Sequence, residues 1–274
     1  MVRILPGCPI MADGPTQENI SQGSATTAPP ILSRPFWHPS NIVTLLRGYV
    51  VVLAIAFLTG LFVILTALIL RAGLQPTPWD VYITHEVQAL PDIIGEGLVA
   101  VSVPGFSPWN FVIPIAVVLI FILFRWFTEA AFTGIAAAGG FTAEIVKNLV
   151  DRPRPTPDLA RIARELHTFS FPSGHVTGYV TLFGFLFYLA YTLLPRRHPL
   201  RWIVLTICAV AIILVGPSRV YMGQHWASDA LAGYALGFAY LLLVIQIHRF
   251  WLKRQVKDQG SGVRDQGSGA TIQE

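Results

Sequence analysis

Uncharged apolar stretches recur along the chain at 48–70, 97–124, 176–195, 202–218 and 230–247. Each is near or above the roughly 17–25 residues that a helix needs to cross hydrocarbon, so they predict membrane spans. A sixth stretch, about 127–148, is interrupted by Glu129, Glu144 and Lys147. Its small-residue core from Gly134 to Gly140 suits close helix packing. Between the first two spans, Trp79, Ile83, Val87 and Leu90 recur at helical offsets, while Asp80, Thr84, Glu86 and Gln88 take other faces. That is the pattern of an amphipathic helix lying in the membrane interface. It suits a cover over the mouth of a lipid groove as well as a plain connector resting on the bilayer. Residues 1–40 read as a disordered N-terminal tail, as do 256–274 at the other end, where Val256–Gly262 is closely echoed by Val263–Gly269. The pattern predicts an all-α, polytopic membrane bundle of six transmembrane helices over 41–255, with one interfacial helix.

Composition agrees. The 274 residues are 53% hydrophobic and only 12% charged, against about 25% charged in an ordinary soluble protein, and the mean hydropathy is +0.58. All seven tryptophans fall at or just outside the ends of the apolar stretches, where an amphipathic ring suits the headgroup zone. The formal net charge of +4 does not point to nucleic acid, because of where the positives lie. Arg34, Arg47, Arg125, Arg196, Arg197, Arg201 and the group from Arg249 to Lys257 all fall on one side of a six-span layout. By the positive-inside rule that side is the cytoplasm. Both termini are then internal, and the loops holding Arg154 to His175 and Arg219 to Asp229 face outward from the cytoplasmic membrane. The arginines of those loops run against the rule and are only partly offset by Asp151, Asp158 and Glu165. Cys8 and Cys208 fall in a tail and a span, so they suggest neither a disulfide nor a metal site. About 40 mostly polar residues precede the first span, which reads as a retained anchor rather than a cleaved signal.

Three short runs carry the ionisable groups. His225 and Asp229 are four apart at the start of the sixth span, so on a helix their side chains can meet. A carboxylate that holds one imidazole N–H leaves the other nitrogen free to attack phosphorus; an isolated pair of this kind is as readily a helix cap. Ser218 and Arg219 stand just upstream. Pro172, Ser173, Gly174 and His175 lie where a loop becomes the fourth span. The first N–H groups of a helix lack internal partners, so Ser173 and Gly174 can present donors to an anion, and His175 can act as a general acid. A serine cap beside a histidine is the plainer alternative. Lys147 and Arg154 bracket Arg152 and Pro153 at the end of the third span. Arginine's planar fork matches phosphate oxygens, although a basic juxtamembrane collar has the same composition. Arg152 can pair with Asp151 or Asp158 or bind phosphate, and Glu144 lies one turn before Lys147 and suits pairing with it. His85 and His167 read as surface residues; His38, His198 and His248 lie on the cytoplasmic side with no part in the chemistry.

Together the runs match, at every position, the signature K-x6-R-P, P-S-G-H and S-R-x5-H-x3-D, and over 147–229 the chain resembles the type 2 phosphatidic acid phosphatase superfamily. The resemblance implies a membrane lipid phosphatase with His225 as nucleophile through a phosphohistidine, Asp229 orienting it, and His175 as general acid. It implies that Lys147, Arg154, Ser173, Gly174, Ser218 and Arg219 bind phosphate oxygens with no metal or other cofactor. The expected substrate is a lipid phosphate or diphosphate, such as undecaprenyl diphosphate, phosphatidic acid or phosphatidylglycerol phosphate, taken at the outer face. A phosphotransferase that passes the group to another acceptor shares the same first half-reaction, and a non-catalytic phospholipid carrier shares the binding groups. The signature names neither the tail nor the number of phosphates, and it leaves the oligomeric state open.

Overall fold

The computed structural model describes residues 39–164 and 166–267, with side chains described for 48–164 and 166–255. Residues 1–38 and 268–274 lie outside the described residues, and with them Trp37, His38, Cys8, nearly all of the expected N-terminal tail and the last seven residues of the C-terminal one. The chain divides into Met1–Leu46 and Arg47–Glu274. The first unit contributes to the described part only the opening turns of helix α1, and the site and its supporting helices belong to the second.

Nine α-helices and no strand occur among the described residues: α1 (Pro39–Arg71), α2 (Pro78–Gln88), α3 (Asp92–Ser102), α4 (Trp109–Leu123), α5 (Phe127–Ala137), α6 (Gly139–Val150), α7 (Gly174–Leu193), α8 (Pro199–Tyr221) and α9 (Ala227–Gly267). Four of the described helices are long and apolar enough to cross a membrane: α1 from Gly48, α7, α8, and α9 as far as Gln255. A fifth results if α2 and the segment Asp92–Gly105, bent by 110°, count as one broken span. The stretch 97–124, expected as a single span, is divided. Pro104, Gly105 and Pro108 end α3 in a single 3-10 turn, and the helix restarts at Trp109 as a 15-residue segment. Hydropathy counts apolar residues, but proline removes the donors a continuous helix needs. The stretch 127–148 is likewise two helices meeting at Ala138, beside Gly139 and Gly140. Conversely, α9 runs on through 256–267, where a flexible tail was expected. Extending an existing helix adds one hydrogen bond per residue fixed, without a new nucleus.

Helix α7 is the centre of the bundle, packed on α5, α6, α8 and α9. Val176, Val180, Phe185, Val215 and Val244 form its buried apolar core. Among helices in lipid, association rests on close packing rather than on escape from water, and the glycines make that packing possible. A Cβ at Gly233 would stand 2.9 Å from the Ser173 carbonyl oxygen, and one at Gly237 2.9 Å from Val180 Cβ, so α9 lies directly against α7. Outward-facing surfaces remain apolar, as at Leu53 and Phe57 of α1, which suits a lipid solvent. Five tryptophans (Trp79, Trp109, Trp126, Trp202 and Trp251) are about half exposed, but Trp226 is fully buried and belongs to the core instead of the headgroup belt. His248 is also buried, with Tyr188 Oη 3.1 Å from its Nδ1 and the ring of Phe132 at its edge.

The polar stripe of α2 is its most buried face, while the expected apolar stripe is split between Ile83 and Val87, packed at the edge of the core, and Trp79 and Leu90, which are exposed. Asp80, Thr84 and Gln88 point into the protein, whereas Trp79 and Tyr82 are exposed. Gln88 explains part of this, because its side chain donates to the carbonyls of Arg161 and Tyr221 and accepts from the Arg161 N–H. The helix is thus clamped onto the loop after α6 and the end of α8.

The glycine contacts predict a stability effect. In Gly233→Ala the new methyl must push α9 off α7, a change expected to cost about 1–3 kcal/mol and to lower the unfolding temperature in detergent. Gly97→Ala, where nothing lies within 4 Å of the added carbon, is expected to leave that temperature unchanged or raise it slightly.

Candidate functional site

The three runs converge at one end of the bundle. Ser173 is the N-cap of α7: its side chain accepts from the Val176 N–H, and its own N–H donates to the Asp229 carbonyl at 3.1 Å. At Gly174 a Cβ would fall 2.9 Å from Glu144 Oε1 and 3.3 Å from Lys147 Nζ. Those two side-chain tips would have to shift to admit a Cβ, so glycine leaves room for the Glu144–Lys147 pair as it stands. Lys147, in the last turn of α6, is largely buried and pairs with Glu144 at 2.6 Å, as their spacing suggested.

Arg154 is pinned by its surroundings. Its Nε donates to the Thr168 carbonyl at 2.7 Å, Nη2 to Thr168 Oγ1 at 2.8 Å and Nη1 to the Gln224 carbonyl at 2.5 Å. The same Nη1 stands 3.3 Å from His225 Nε2. Arg219 is fully buried, with Gln224 Oε1 as partner and the ring of Phe106 5.2 Å from its guanidinium carbon. Ser218 turns away from this cluster: its hydroxyl donates to the Leu98 carbonyl and accepts from Ser102, which in turn accepts from Arg219 Nη1. Ser218 therefore steadies Arg219 through Ser102 rather than presenting its own hydroxyl.

His225 sits in the turn between α8 and α9. Gly223 makes that turn possible, with φ +63° and no room for a Cβ against the Arg161 carbonyl. The His225 Nδ1 lies 2.8 Å from the Ser170 carbonyl. A carbonyl only accepts, so Nδ1 carries the hydrogen and Nε2 keeps its lone pair. Asp229 was expected to hold this nitrogen, but its Oδ2 is 3.7 Å away. That oxygen accepts instead from Ser170 Oγ at 2.8 Å and the Trp226 N–H at 2.9 Å, so Asp229 acts on the histidine through Ser170.

His175 lies one residue inside α7, edge-on to Phe106 and directly under Gly105. Its Nε2 is buried without a partner, and the cations Arg219, Lys147 and Arg154 supply the charges around it. An apolar groove of about 610 Å³ has His175 and Glu144 among its lining residues. Phe111, Ile115 and Leu119 of α4, Phe141 of α6 and Leu182 of α7 are among its walls.

Sequence reasoning missed Asp80 and Ser170 and left Arg152 undecided between other partners. Arg152 is fully buried; Nη1 donates to Asp229 Oδ1 at 2.5 Å and Nη2 to Asp80 Oδ2 at 2.8 Å. The one local sign at Asp80 is a capping box with Thr77, which marks a helix start but no distant partner.

The PAP2 superfamily model matches residues 128–253. Among curated proteins, the chain is 36% identical over 101 residues to a phosphatidylglycerophosphatase B of Bacillus subtilis, covering 37% of this chain and 48% of that one. It is 31% identical over 134 residues to a lipid A 1-phosphatase of Rhizobium etli, covering 45% and 51%. It is also 40% identical over 79 residues to an undecaprenyl-diphosphatase of Sulfolobus acidocaldarius, covering 29% and 34%. The chain thus spans about half or less of the length of these relatives. In fold it matches the crystal structure of a transmembrane PAP2 type phosphatidylglycerolphosphate phosphatase from Bacillus subtilis, with a TM-score of 0.59 at 22% identity, over 71% of this chain and 96% of that one.

Burial holds the His225 imidazole well below its ordinary pKa, and the charges of Arg154, Arg219 and Lys147 push the same way, against the hydrogen bond to Ser170. The folded protein therefore refuses a proton that the unfolded chain takes up near pH 6.5, so this contribution to stability is complete above that pH and declines as pH falls below it. Nitrogen-15 NMR of histidine-labelled protein at pH 6 is expected to show His225 neutral, protonated at Nδ1 and bare at Nε2. An imidazolium signal there would contradict the geometry.

Proposed function

We propose, from the match of the PAP2 superfamily model to residues 128–253, that the protein is an integral membrane phosphatase of that superfamily and hydrolyses a lipid phosphate or diphosphate through a phosphohistidine. The observation that carries this reading is the bare Nε2 of His225, which faces a cationic cradle while its Nδ1 hydrogen is held by Ser170. Nε2 attacks the phosphorus, and the P–O bond to the lipid breaks as the new P–N bond forms. His175 gives its proton to the leaving oxygen. In the second half-reaction His175 takes a proton from water, the water oxygen attacks phosphorus, the P–N bond breaks, and phosphate leaves. Lys147, Arg154 and Arg219 stabilise the charge that gathers on the equatorial oxygens, which is commonly the largest catalytic contribution. Gly174 lets the phosphate approach the start of α7, and Ser173 holds that end of α7 to Asp229. With three cations in place, the site has its charge stabilisation without a metal ion.

The groove supports a lipid substrate. Its apolar walls suit acyl or prenyl tails, and the proposed acid is among its lining residues, so a tail can stay in hydrocarbon while the phosphate reaches the cradle. The membrane layout that fits is six crossings, with α4 and the α5–α6 pair as the short second and third. Helices α2 and α3, the loop 151–173 and the turn 222–226 then lie together on the outer face of the cytoplasmic membrane. The relatives carry the names of three chemically different lipid phosphates, and phosphatidic acid, phosphatidylglycerol phosphate and undecaprenyl diphosphate are all candidate substrates.

Release of inorganic phosphate from these lipids in detergent is expected to persist in EDTA and to fall by at least about 10³-fold in His225→Ala. His175→Ala should lose about 10²- to 10⁴-fold, and less with a substrate whose leaving group needs no proton. Full activity of His225→Ala would sink the proposal. Accumulation of a phosphorylated acceptor in place of free phosphate would turn the reading toward a transferase.

A further inference from the structure

Asp80 lies 67 residues before Lys147, where the signature begins, yet it is fully buried against the site. Its neighbours on α2, Trp79 and Tyr82, are exposed, so the carboxylate is drawn inward by its partners rather than by the burial of the helix as a whole. Both of its oxygens are engaged. Oδ1 accepts from the Ser228 N–H in the first turn of α9 at 2.9 Å. Oδ2 accepts from Arg152 Nη2 at 2.8 Å, and from the N–H and hydroxyl of Thr77 at 3.1 Å each.

A short chain of contacts runs from there to the reacting nitrogen. The guanidinium of Arg152 is forked: Nη2 faces Asp80, while Nη1 donates to Asp229 Oδ1 at 2.5 Å and Ser228 Oγ at 2.8 Å. Asp229 Oδ2 accepts from Ser170 Oγ at 2.8 Å, and the Ser170 N–H donates to the Arg152 carbonyl at 2.8 Å. The Ser170 carbonyl then holds His225 Nδ1 at 2.8 Å. Removing one carboxylate from such a chain changes the direction in which every later group can point.

The charges give Asp80 a role that a helix cap does not need. Arg152 and Asp229 alone would be a neutral pair, and a neutral pair offers little to an imidazole that becomes cationic when Nε2 bonds to phosphorus. With Asp80 included, the buried cluster carries one net negative charge behind the ring, opposite the three cations in front of it. We infer that Asp80 is a positioning residue for phosphoryl transfer: through Arg152, Asp229 and Ser170 it orients His225 and helps the ring to bear positive charge. This rests on the reading of His225 as the phosphoryl acceptor.

The experiment uses the full chain in detergent, with dioctanoyl phosphatidic acid as the probe and released phosphate as the signal. Asp80→Asn is expected to lower kcat by about ten- to hundredfold with KM changed less than about threefold, because the cations that bind phosphate are untouched. The effect should not add to that of Asp229→Asn: the double variant is expected to be no slower than Asp229→Asn alone. Arg152→Lys keeps the charge but lacks the planar fork whose two nitrogens reach Asp229 and Asp80 separately, so it should show the same loss and the same lack of additivity, and it serves if Asp80→Asn does not fold. A folded Asp80→Asn or Arg152→Lys protein with wild-type kcat overturns the inference, as does a double variant whose losses multiply. If these variants are wild-type while His225→Ala is inactive, the positioning role alone fails. If His225→Ala retains full activity, the phosphohistidine reading falls and takes this inference with it.

Discussion

The buried guanidinium of Arg152 is the constraint around which the site is built. Taking a charge out of water costs several kcal/mol, and only good geometry with opposite charges repays it. Here two carboxylates, a hydroxyl and a carbonyl meet the guanidinium, and they come from Asp80 on α2, Asp229 and Ser228 on α9, and Gln75 in the loop before α2. The same cluster fixes backbone as well as side chains: Ser170 N–H bonds to Arg152 O, and Ser173 N–H to Asp229 O. The loop that carries the proposed acid's helix is therefore tied to the helix that follows the nucleophile. Loss of either carboxylate would leave a buried charge short of a partner, a defect worth about 3–5 kcal/mol.

Charge is divided across His225. Arg154 and Arg219 find mostly neutral oxygens, namely the carbonyls of Thr168 and Gln224, the Gln224 side chain and the Ser102 hydroxyl. Neutral acceptors satisfy their N–H groups without cancelling their charge. Lys147 differs, since Glu144 already pairs with it, and an arriving phosphate must share or displace that carboxylate. The carboxylates of Asp80 and Asp229 lie on the other side, beyond Ser170. In the proposed mechanism a neutral histidine between a cationic front and an anionic back suits accepting a phosphoryl group, because both sides then oppose the charge that each partner acquires.

Local sequence carried the signature and could not carry its support. Lys147, Arg154, His175 and His225 were legible because their spacing is short and each brings a chemistry of its own. The membrane body was legible for the long helices α1, α7, α8 and α9, whose apolar runs are unbroken. It was not legible where Pro104, Gly105 and Pro108 divide one run, since a hydropathy average records no change of direction. For α2 the periodicity was right, but not the burial of its polar stripe, which is satisfied by Arg152, Arg161 and Tyr221, residues 72 to 133 positions away. Four-residue spacing likewise suggested that Asp229 meets His225, and its Oδ2 does lie 3.7 Å from Nδ1, but the ring hydrogen goes to the Ser170 carbonyl, and nothing in the order of residues announces a carbonyl in that place.

The groove and the charged cluster are built from different helices, and this separation bears on specificity. The groove walls at Phe111, Phe141 and Leu182 belong to α4, α6 and α7, whereas the Asp80, Arg152 and Asp229 cluster joins α2, the loop after α6, and α9. His175, with Gly105 over it, is where the groove reaches the cradle. Side chains along the groove can therefore change with the shape of a tail while the cluster that orients His225 stays intact. In the proposed phosphatase one site could then serve quite different lipids, with its chemistry set by charges at the end of the bundle and its choice of substrate set by packing in the apolar walls.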